Sequence, residues 1–149
     1  MDTIDKDILR VLQKNARASL KEISQQVNLS QPSTSERLRK LEYAGYITGY
    51  TVLLDNHKLG KALTCFCMVV LKEPPRNSQT KFRMLIKEMP EIIECHCITG
   101  DYEYILKIVT DSTRTLEALL ERLRSECGVV RTYTHTVLST IANRPGVCI

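Results

Sequence analysis

Apolar side chains recur at helical spacing in the first part of the chain and predict three short helices before Gly45. The first extends from Thr3 to about Lys14, with Asp2 at its cap position. The second begins after Ser19, which together with Glu22 has the S-x-x-E spacing typical of a capping box. The apolar stripes are Ile4, Ile8, Val11 and Leu12 in the first helix, and Leu20, Ile23 and Val27 in the second.

The third helix begins after Ser30, whose hydroxyl can cap it. Pro32 falls in its first turn, where a proline removes no intrahelical hydrogen bond. Gly45 is placed to end the helix in the left-handed conformation. The second and third helices together have the spacing of a helix-turn-helix, and the buried stripe of the third is Thr34, Leu38 and Leu41.

The outward side of the third helix carries hydroxyl groups early and guanidinium groups late, which suits the major groove of DNA. Serine can bond base edges or phosphates, and arginine can fork onto guanine or a phosphate. This stretch alone also allows an ordinary helical hairpin with a solvated charged face. The residues that we expect to contact DNA are Gln31, Ser33, Ser35, Arg37, Arg39 and Lys40.

After Gly45, the segment from Tyr46 to Leu54 is rich in β-branched and aromatic residues around Thr48 and Gly49. This composition predicts a β-hairpin, which directly after a recognition helix would form a wing. We expect Ile47 and Val52 to pack on the three helices.

From residue 61 onward the pattern changes to alternating strands and helices. Strands are predicted at about Leu63–Lys72, Ile92–Thr99, Tyr102–Thr110 and Val129–Thr140, with helices at Ser78–Met89 and Thr113–Glu126. The order βαββαβ is that of the ferredoxin-like fold. The polar stretch DNHKLGK marks the boundary, so the chain is an α+β protein with a winged helix-turn-helix in 1–60 and a βαββαβ domain in 61–149.

The first strand is apolar on both of its faces, although both helices of this domain cover the same face of the sheet. Cys65, Cys67 and Val69 lie on one side of it, and Phe66 and Met68 on the other. A second copy of the domain can cover the remaining face, so we expect a homodimer formed through the sheets.

The net charge of only +4 over 149 residues confines any nucleic-acid surface to a local patch. The acidic start MDTIDKD lacks a secretory pattern, and the longest apolar run, Cys65 to Leu71, falls short of the ~20 residues that cross a bilayer. We therefore expect a cytoplasmic protein without a membrane partner.

Six cysteines occur, and no pair has Cys-x-x-Cys spacing. Cys65 with Cys67, and Cys95 with Cys97, share a strand face, where buried small hydrophobic residues are the ordinary interpretation. A strand turns His96 away from its cysteine neighbours, which disfavours a metal site. No catalytic constellation, glycine-rich phosphate loop or cofactor motif is present, so we expect neither an enzyme nor a cofactor. A metabolite-binding module without DNA is the rival interpretation.

Three stretches resemble the Lrp/AsnC, or feast/famine, transcription regulators: IDKDILRVLQKNARASLKEISQQVNLS, SERLRKLEYAGYITGYTVLLD and ECHCITGDYEYILKI. The first two are similar to the family's winged helix-turn-helix, and the third to the central turn of its ligand-sensing RAM domain. The resemblance implies a dimer, in some members a tetramer or octamer, that binds double-stranded DNA and responds to an amino acid or related metabolite.

The same resemblance places the effector at the turn between the second and third strands of the RAM domain. Gly100 permits a tight turn, backbone amides can receive a carboxylate, and Asp101 or Glu103 can receive an ammonium group. The family often has aspartate where this chain has Glu103, so the identity of the effector stays open. A plain hairpin turn with solvated acids is the alternative. The expected effector residues are Thr99, Gly100, Asp101, Tyr102 and Glu103, with Thr134 and Thr136 from a neighbouring subunit.

Overall fold

The computed structural model describes residues 1–72, 75–144 and 146–149, without the side chains of residues 75–78. The chain forms two compact units, Met1–Leu53 with Ala142–Ile149, and Leu54–Ile141. The sequence pattern places the boundary at residue 60. In the structure the boundary follows Leu53, and the last eight residues belong to the first unit.

The first unit contains three helices, α1 (Thr3–Lys14), α2 (Leu20–Gln26) and α3 (Gln31–Tyr43). Each begins at its expected cap, because Asp2, Ser19 and Ser30 each accept a backbone N–H from the residue three positions later. Reciprocal bonds complete capping boxes at the first two of these caps.

The core of the first unit forms where the apolar stripes of the three helices meet. Ile8 of α1, Ile23 of α2 and Leu41 of α3 are almost completely removed from solvent. The end of the chain joins this core, since Ile149 packs against it and the Val147 carbonyl accepts a 2.8 Å hydrogen bond from Gln13. The sequence pattern did not predict this docking.

The expected wing hairpin is wrong as a paired element, because no residue between Tyr46 and Leu54 is in a strand. Ile47 packs on the helical core as expected, whereas Val52 is exposed. The segment is anchored to α3 through the Tyr50 hydroxyl, which donates to Glu42 at 2.9 Å. An isolated two-stranded hairpin is marginal in water, so strand propensity alone does not impose one here.

The second unit is a four-stranded antiparallel sheet with two helices. Its elements are β1 (Leu63–Leu71), α4 (Pro75–Ile86), β2 (Ile92–Cys97), β3 (Tyr104–Thr110), α5 (Thr113–Ser125) and β4 (Val129–Thr136). The strand order is β2-β3-β1-β4, with β1 antiparallel to both of its neighbours. This confirms the βαββαβ ferredoxin-like arrangement.

The helix α4 lies three residues earlier than the pattern predicts. Pro75 is its first residue, a position where proline is favoured because its missing N–H is not needed. Met89 lies beyond the end of the helix, yet its side chain is buried, which explains why it extended the apolar stripe. The strand β4 ends at Thr136 rather than Thr140.

The two faces of the sheet differ as expected. Cys65, Cys67 and Val69 of β1 are fully buried in the core that also contains Phe82 of α4 and Leu123 of α5. On the opposite face, Phe66, Tyr133 and His135 are exposed to solvent in the single chain. The cysteine prediction is confirmed for Cys65 and Cys67 but wrong for Cys95 and Cys97, which are exposed because β2 is an edge strand.

Candidate nucleic-acid interface and effector turn

The helix α3 is fixed at its N-terminus by hydrogen bonds that its own sequence provides. The Ser30 hydroxyl caps the helix by accepting from the Ser33 N–H, and it also lies 2.9 Å from the Ser33 hydroxyl. Thr34 is fully buried, and its hydroxyl donates to the Ser30 carbonyl at 2.9 Å. This bond satisfies the buried hydroxyl, and the threonine methyl packs in the core. Thr34 can therefore occupy a position of the buried stripe that is normally apolar.

Arg37 connects α3 to the N-terminal end of α1. Its Nη1 donates to Asp5 Oδ1 at 2.8 Å and to Asp2 Oδ2 at 2.7 Å. Hydrogen bonds to Asp5 and Asp2 raise the pKa of Arg37, while the Asp5 N–H and then Arg37 lower the pKa of Asp2. The side chain that the sequence marks as a DNA contact therefore also sets the position of α3 against α1.

The remaining candidate residues of α3 differ in how they are engaged. Lys40 pairs with Glu36 one turn away at 2.8 Å, and this hydrogen bond lowers the pKa of Glu36. Arg39 is exposed, and no ion pair of Arg39 occurs within the described part of the chain. The residues Gln31, Ser33 and Ser35 are exposed in the first two turns. The sequence thus placed five of its six candidates on the exposed surface, with Arg37 partly covered by its ion pairs.

The turn between β2 and β3 closes at Gly100, whose φ of +112° lies in the region that favours glycine. The Ile98 N–H donates to the Glu103 carbonyl across the turn at 2.9 Å. The Glu103 carboxylate points back to β1, where it accepts the Leu71 N–H at 3.0 Å. Glu103 is therefore already engaged by the protein backbone.

In the same turn, Asp101 is exposed and Tyr102 is half-buried. The Asp101 carbonyl accepts a 3.0 Å hydrogen bond from Arg131 of β4, whose guanidinium also lies 4.9 Å from the centre of the Tyr102 ring. Tyr133 stacks on Tyr102 with ring centres 6.2 Å apart. Arg131 and Tyr133 were not among our sequence candidates, since only the pairing register of β4 with β1 brings them to this turn.

Thr134 and Thr136 do not meet the turn within one chain. Both lie on the face of the sheet that the helices cover, where the Thr134 hydroxyl donates to Cys67 at 3.3 Å. The Thr136 hydroxyl oxygen lies 3.7 Å from the Cys65 sulfur. Burial raises the pKa of the Cys67 thiol, and the bond from Thr134 partly offsets this. The structure of one chain therefore groups residues 99–103 with Arg131 and Tyr133, and leaves both threonines apart.

Two further properties bear on the class of protein. Within the described ranges, no cluster of three or more histidine, cysteine, aspartate or glutamate side chains is arranged to hold a metal ion. No helix among residues 1–72, 75–144 and 146–149 is long and apolar enough to cross a membrane.

A capped helix-turn-helix unit followed by a ferredoxin-like unit defines a class of two-part DNA-binding proteins. Residues 1–48 match the winged helix-turn-helix DNA-binding family, and residues 64–147 match the family described as the Lrp/AsnC ligand binding domain. The chain therefore belongs to the Lrp/AsnC family of transcription regulators.

Relatives and solved structures agree with this assignment. The leucine-responsive regulatory proteins of Escherichia coli K12 and Klebsiella pneumoniae are each 37% identical to this chain over 142 residues, which cover 95% of it and 87% of the relative.

Among solved structures, a transcriptional regulator of Neisseria meningitidis in complex with L-Met superposes with a TM-score of 0.95 at 28% identity, covering 99% of this chain and 96% of that one. The feast or famine regulatory protein of Mycobacterium tuberculosis complexed with L-methionine superposes with a TM-score of 0.87 at 28% identity, covering 98% and 97%.

Proposed function

We propose that this protein is a sequence-specific DNA-binding transcription regulator that responds to an amino acid or a related metabolite. It acts as a homodimer or a higher assembly such as a tetramer or octamer, works in the cytoplasm where DNA is accessible, and needs neither a cofactor nor catalysis. We propose 1–60 as the DNA-binding region and 61–149 as the ligand-sensing and oligomerisation region.

One observation carries the DNA-binding proposal, namely the exposed hydroxyl, amide and cationic surface of α3. The helix is held in place by a cap, a buried threonine and the Arg37 ion pairs, so Gln31, Ser35 and Arg39 are not needed to hold it. A rigid helix with exposed serines and an exposed Arg39 fits a major groove. Two copies in a dimer address half-sites roughly 34 Å, or a multiple of it, apart.

The effector proposal rests on the turn at residues 99–103. Gly100 leaves the backbone open to close approach, and a Cβ built there meets no atom within 4 Å. Asp101 has an exposed carboxylate, whereas the Glu103 carboxylate already accepts the Leu71 N–H. We assign Asp101 the first role in receiving an ammonium group, with Thr134 and Thr136 contributed from a neighbouring subunit. Leucine and methionine are the effectors to examine first, because they appear in the names of relatives.

A gel-shift assay on the DNA upstream of the gene for this protein tests the proposal. We expect retarded complexes at nanomolar protein that weaken with rising salt, and a change of affinity or complex size when leucine or methionine is added. Equal retardation of an unrelated DNA of the same length at the same salt would contradict sequence-specific binding.

The rival, a metabolite-binding module without DNA, predicts a calorimetric signal for an amino acid and no retarded band. Binding of DNA without any response to the common amino acids would leave an architectural DNA-binding protein and would contradict the effector part of the proposal.

A further inference from the structure

The strand β2 carries two exposed thiols in one plane of side chains. Cys95 and Cys97 are both exposed, whereas Cys65 and Cys67, which have the same spacing on β1, are completely buried. The two pairs differ because β1 lies inside the sheet and β2 forms its edge. The chain thus contains one accessible cysteine pair and one buried pair of identical spacing.

Cys95 and Cys97 point to the same face of the sheet as the helices. Their register partners are Leu106 and Tyr104, both buried in the core, while His96 between them pairs with Ile105 on the opposite face. A dimer formed through that opposite face therefore leaves both thiols accessible. The proposed oligomer and the thiol pair do not compete for surface.

A cation lies beside the pair. A hydrogen bond between Arg83 of α4 and the Tyr104 hydroxyl raises the pKa of Arg83, and the charges of Cys97 and Cys95 add a smaller effect in the same direction. Partial burial and the neighbouring Cys97 raise the pKa of the Cys95 thiol, and Arg83 opposes that change. Arg83 therefore favours the thiolate form of Cys95.

The spacing decides what the pair can bind. Residues two apart on a strand have Cα atoms about 6.6 Å apart, with side chains standing nearly parallel. A disulfide needs Cβ atoms about 3.8 Å apart, so this pair cannot close one without a backbone shift. Rotation of both side chains toward each other still leaves room for a single atom bonded to both sulfurs.

The number of available ligands limits which element can bridge the two sulfurs. A structural zinc ion takes four ligands, and around this pair the described residues supply no third histidine, cysteine or carboxylate in a suitable group. A trivalent arsenic atom that carries one organic substituent needs only two thiolates. It also prefers soft sulfur ligands to the oxygen ligands nearby.

We propose that Cys95 and Cys97 form a binding site for a monosubstituted trivalent arsenical. With phenylarsine oxide, two S–H bonds and the arsenic–oxygen bond break and two S–As bonds form. The two thiol protons leave with the oxygen as one water molecule. Arsenic remains trivalent, so the step needs neither an oxidant nor a reductant.

Mass spectrometry of the folded, reduced full chain after phenylarsine oxide treatment tests the site. An excess of a monothiol removes arsenic that is held by a single cysteine. We expect one phenylarsenic group per chain in the wild type and loss of that adduct in Cys95→Ser and in Cys97→Ser. The matched control Cys148→Ser removes an exposed thiol outside the pair and should keep the adduct.

Unfolding cannot imitate the expected loss, because it exposes Cys65 and Cys67 and so adds an adduct. Cys95→Ser in guanidinium should accordingly gain a phenylarsenic group, which distinguishes an unfolded variant from a folded one that has lost the site. No adduct on the folded wild type, or an adduct that both serine variants keep while their circular dichroism matches that of the wild type, would overturn the proposal.

Discussion

Arg37 and Asp5 lie 32 positions apart in the sequence, yet Arg37 Nη1 and Asp5 Oδ1 are 2.8 Å apart in the folded chain. Asp2 receives the same guanidinium nitrogen at 2.7 Å, so one side chain ties α3 to the first turn of α1. Asp2 and Asp5 also form the capping box of α1. The cap and the connection between the two helices therefore depend on the same carboxylates.

We expect Arg37→Met to lower the melting temperature. We also expect it to weaken the pH dependence of the free energy of unfolding in the acidic range. The pKa of Asp2 is lowered in the folded state, first by the Asp5 N–H and then by Arg37, so its contribution is present above its ordinary pKa of 3.8 and is lost as pH falls through the lower folded value. Thermal unfolding between about pH 2 and 6 measures this. Asp2→Asn is the control, because it can still accept the capping hydrogen bond without the charge. Equal pH profiles for wild type and Arg37→Met would contradict the coupling.

Arg39→Ala should weaken DNA binding without the loss of stability that we expect for Arg37→Met. If Arg39 reads a base edge, the loss is about 1 to 3 kcal/mol and is confined to the specific site. If it contacts phosphate only, the loss is independent of sequence and the salt slope falls by about one. Titrations of specific and scrambled DNA at several salt concentrations separate the two. Lys14→Ala, an exposed cation on α1, is the control and should leave affinity unchanged; equal losses in both variants would remove Arg39 from the interface.

Thr34→Ser should destabilise the first unit more than Thr34→Val does. The serine variant keeps the hydroxyl but removes a buried methyl group, at a cost of about 1 kcal/mol. The valine variant keeps the shape, and the Ser30 carbonyl still accepts the Thr34 N–H at 3.0 Å. Urea unfolding of both variants gives the comparison. The reverse order would mean that the hydroxyl bond outweighs the methyl packing.

Asp101→Asn should weaken amino-acid binding more than Glu103→Gln does, because the Glu103 carboxylate is occupied by the Leu71 N–H. Calorimetric titration of each variant with the effector that the wild type binds measures the difference. A larger loss in Glu103→Gln would transfer the ammonium site to Glu103.

Phe66→Asp should convert a dimer into monomers if the exposed face of the sheet is the dimer interface. Phe66 lies on that face, opposite His135 on β4 and Lys107 on β3. Sedimentation at micromolar concentration measures the change. Met84→Asp is the matched control, since Met84 is an exposed apolar residue on α4 rather than on the sheet face. A dimeric Phe66→Asp variant would place the interface elsewhere.

The elements of this protein follow from short-range features of its sequence. Asp2, Ser19 and Ser30 cap their helices through hydrogen bonds to residues three positions later. Each cap can therefore be predicted from the sequence alone. Strand alternation and helical stripes likewise gave the order βαββαβ, because both periods are local properties of the chain.

Tertiary structure decided the features that join distant positions. The partners of Arg37, the approach of Arg131 to the turn at Asp101 and the docking of Val147 on α1 each need a register or a packing geometry that no local period encodes. The exposure of Cys95 and Cys97 depends on the place of β2 at the edge of the sheet, which strand pairing sets. The sequence by itself therefore determined the helices, the four strands of the sheet and the exposed side of α3. Long-range pairing determined which of their side chains are engaged and which stay available.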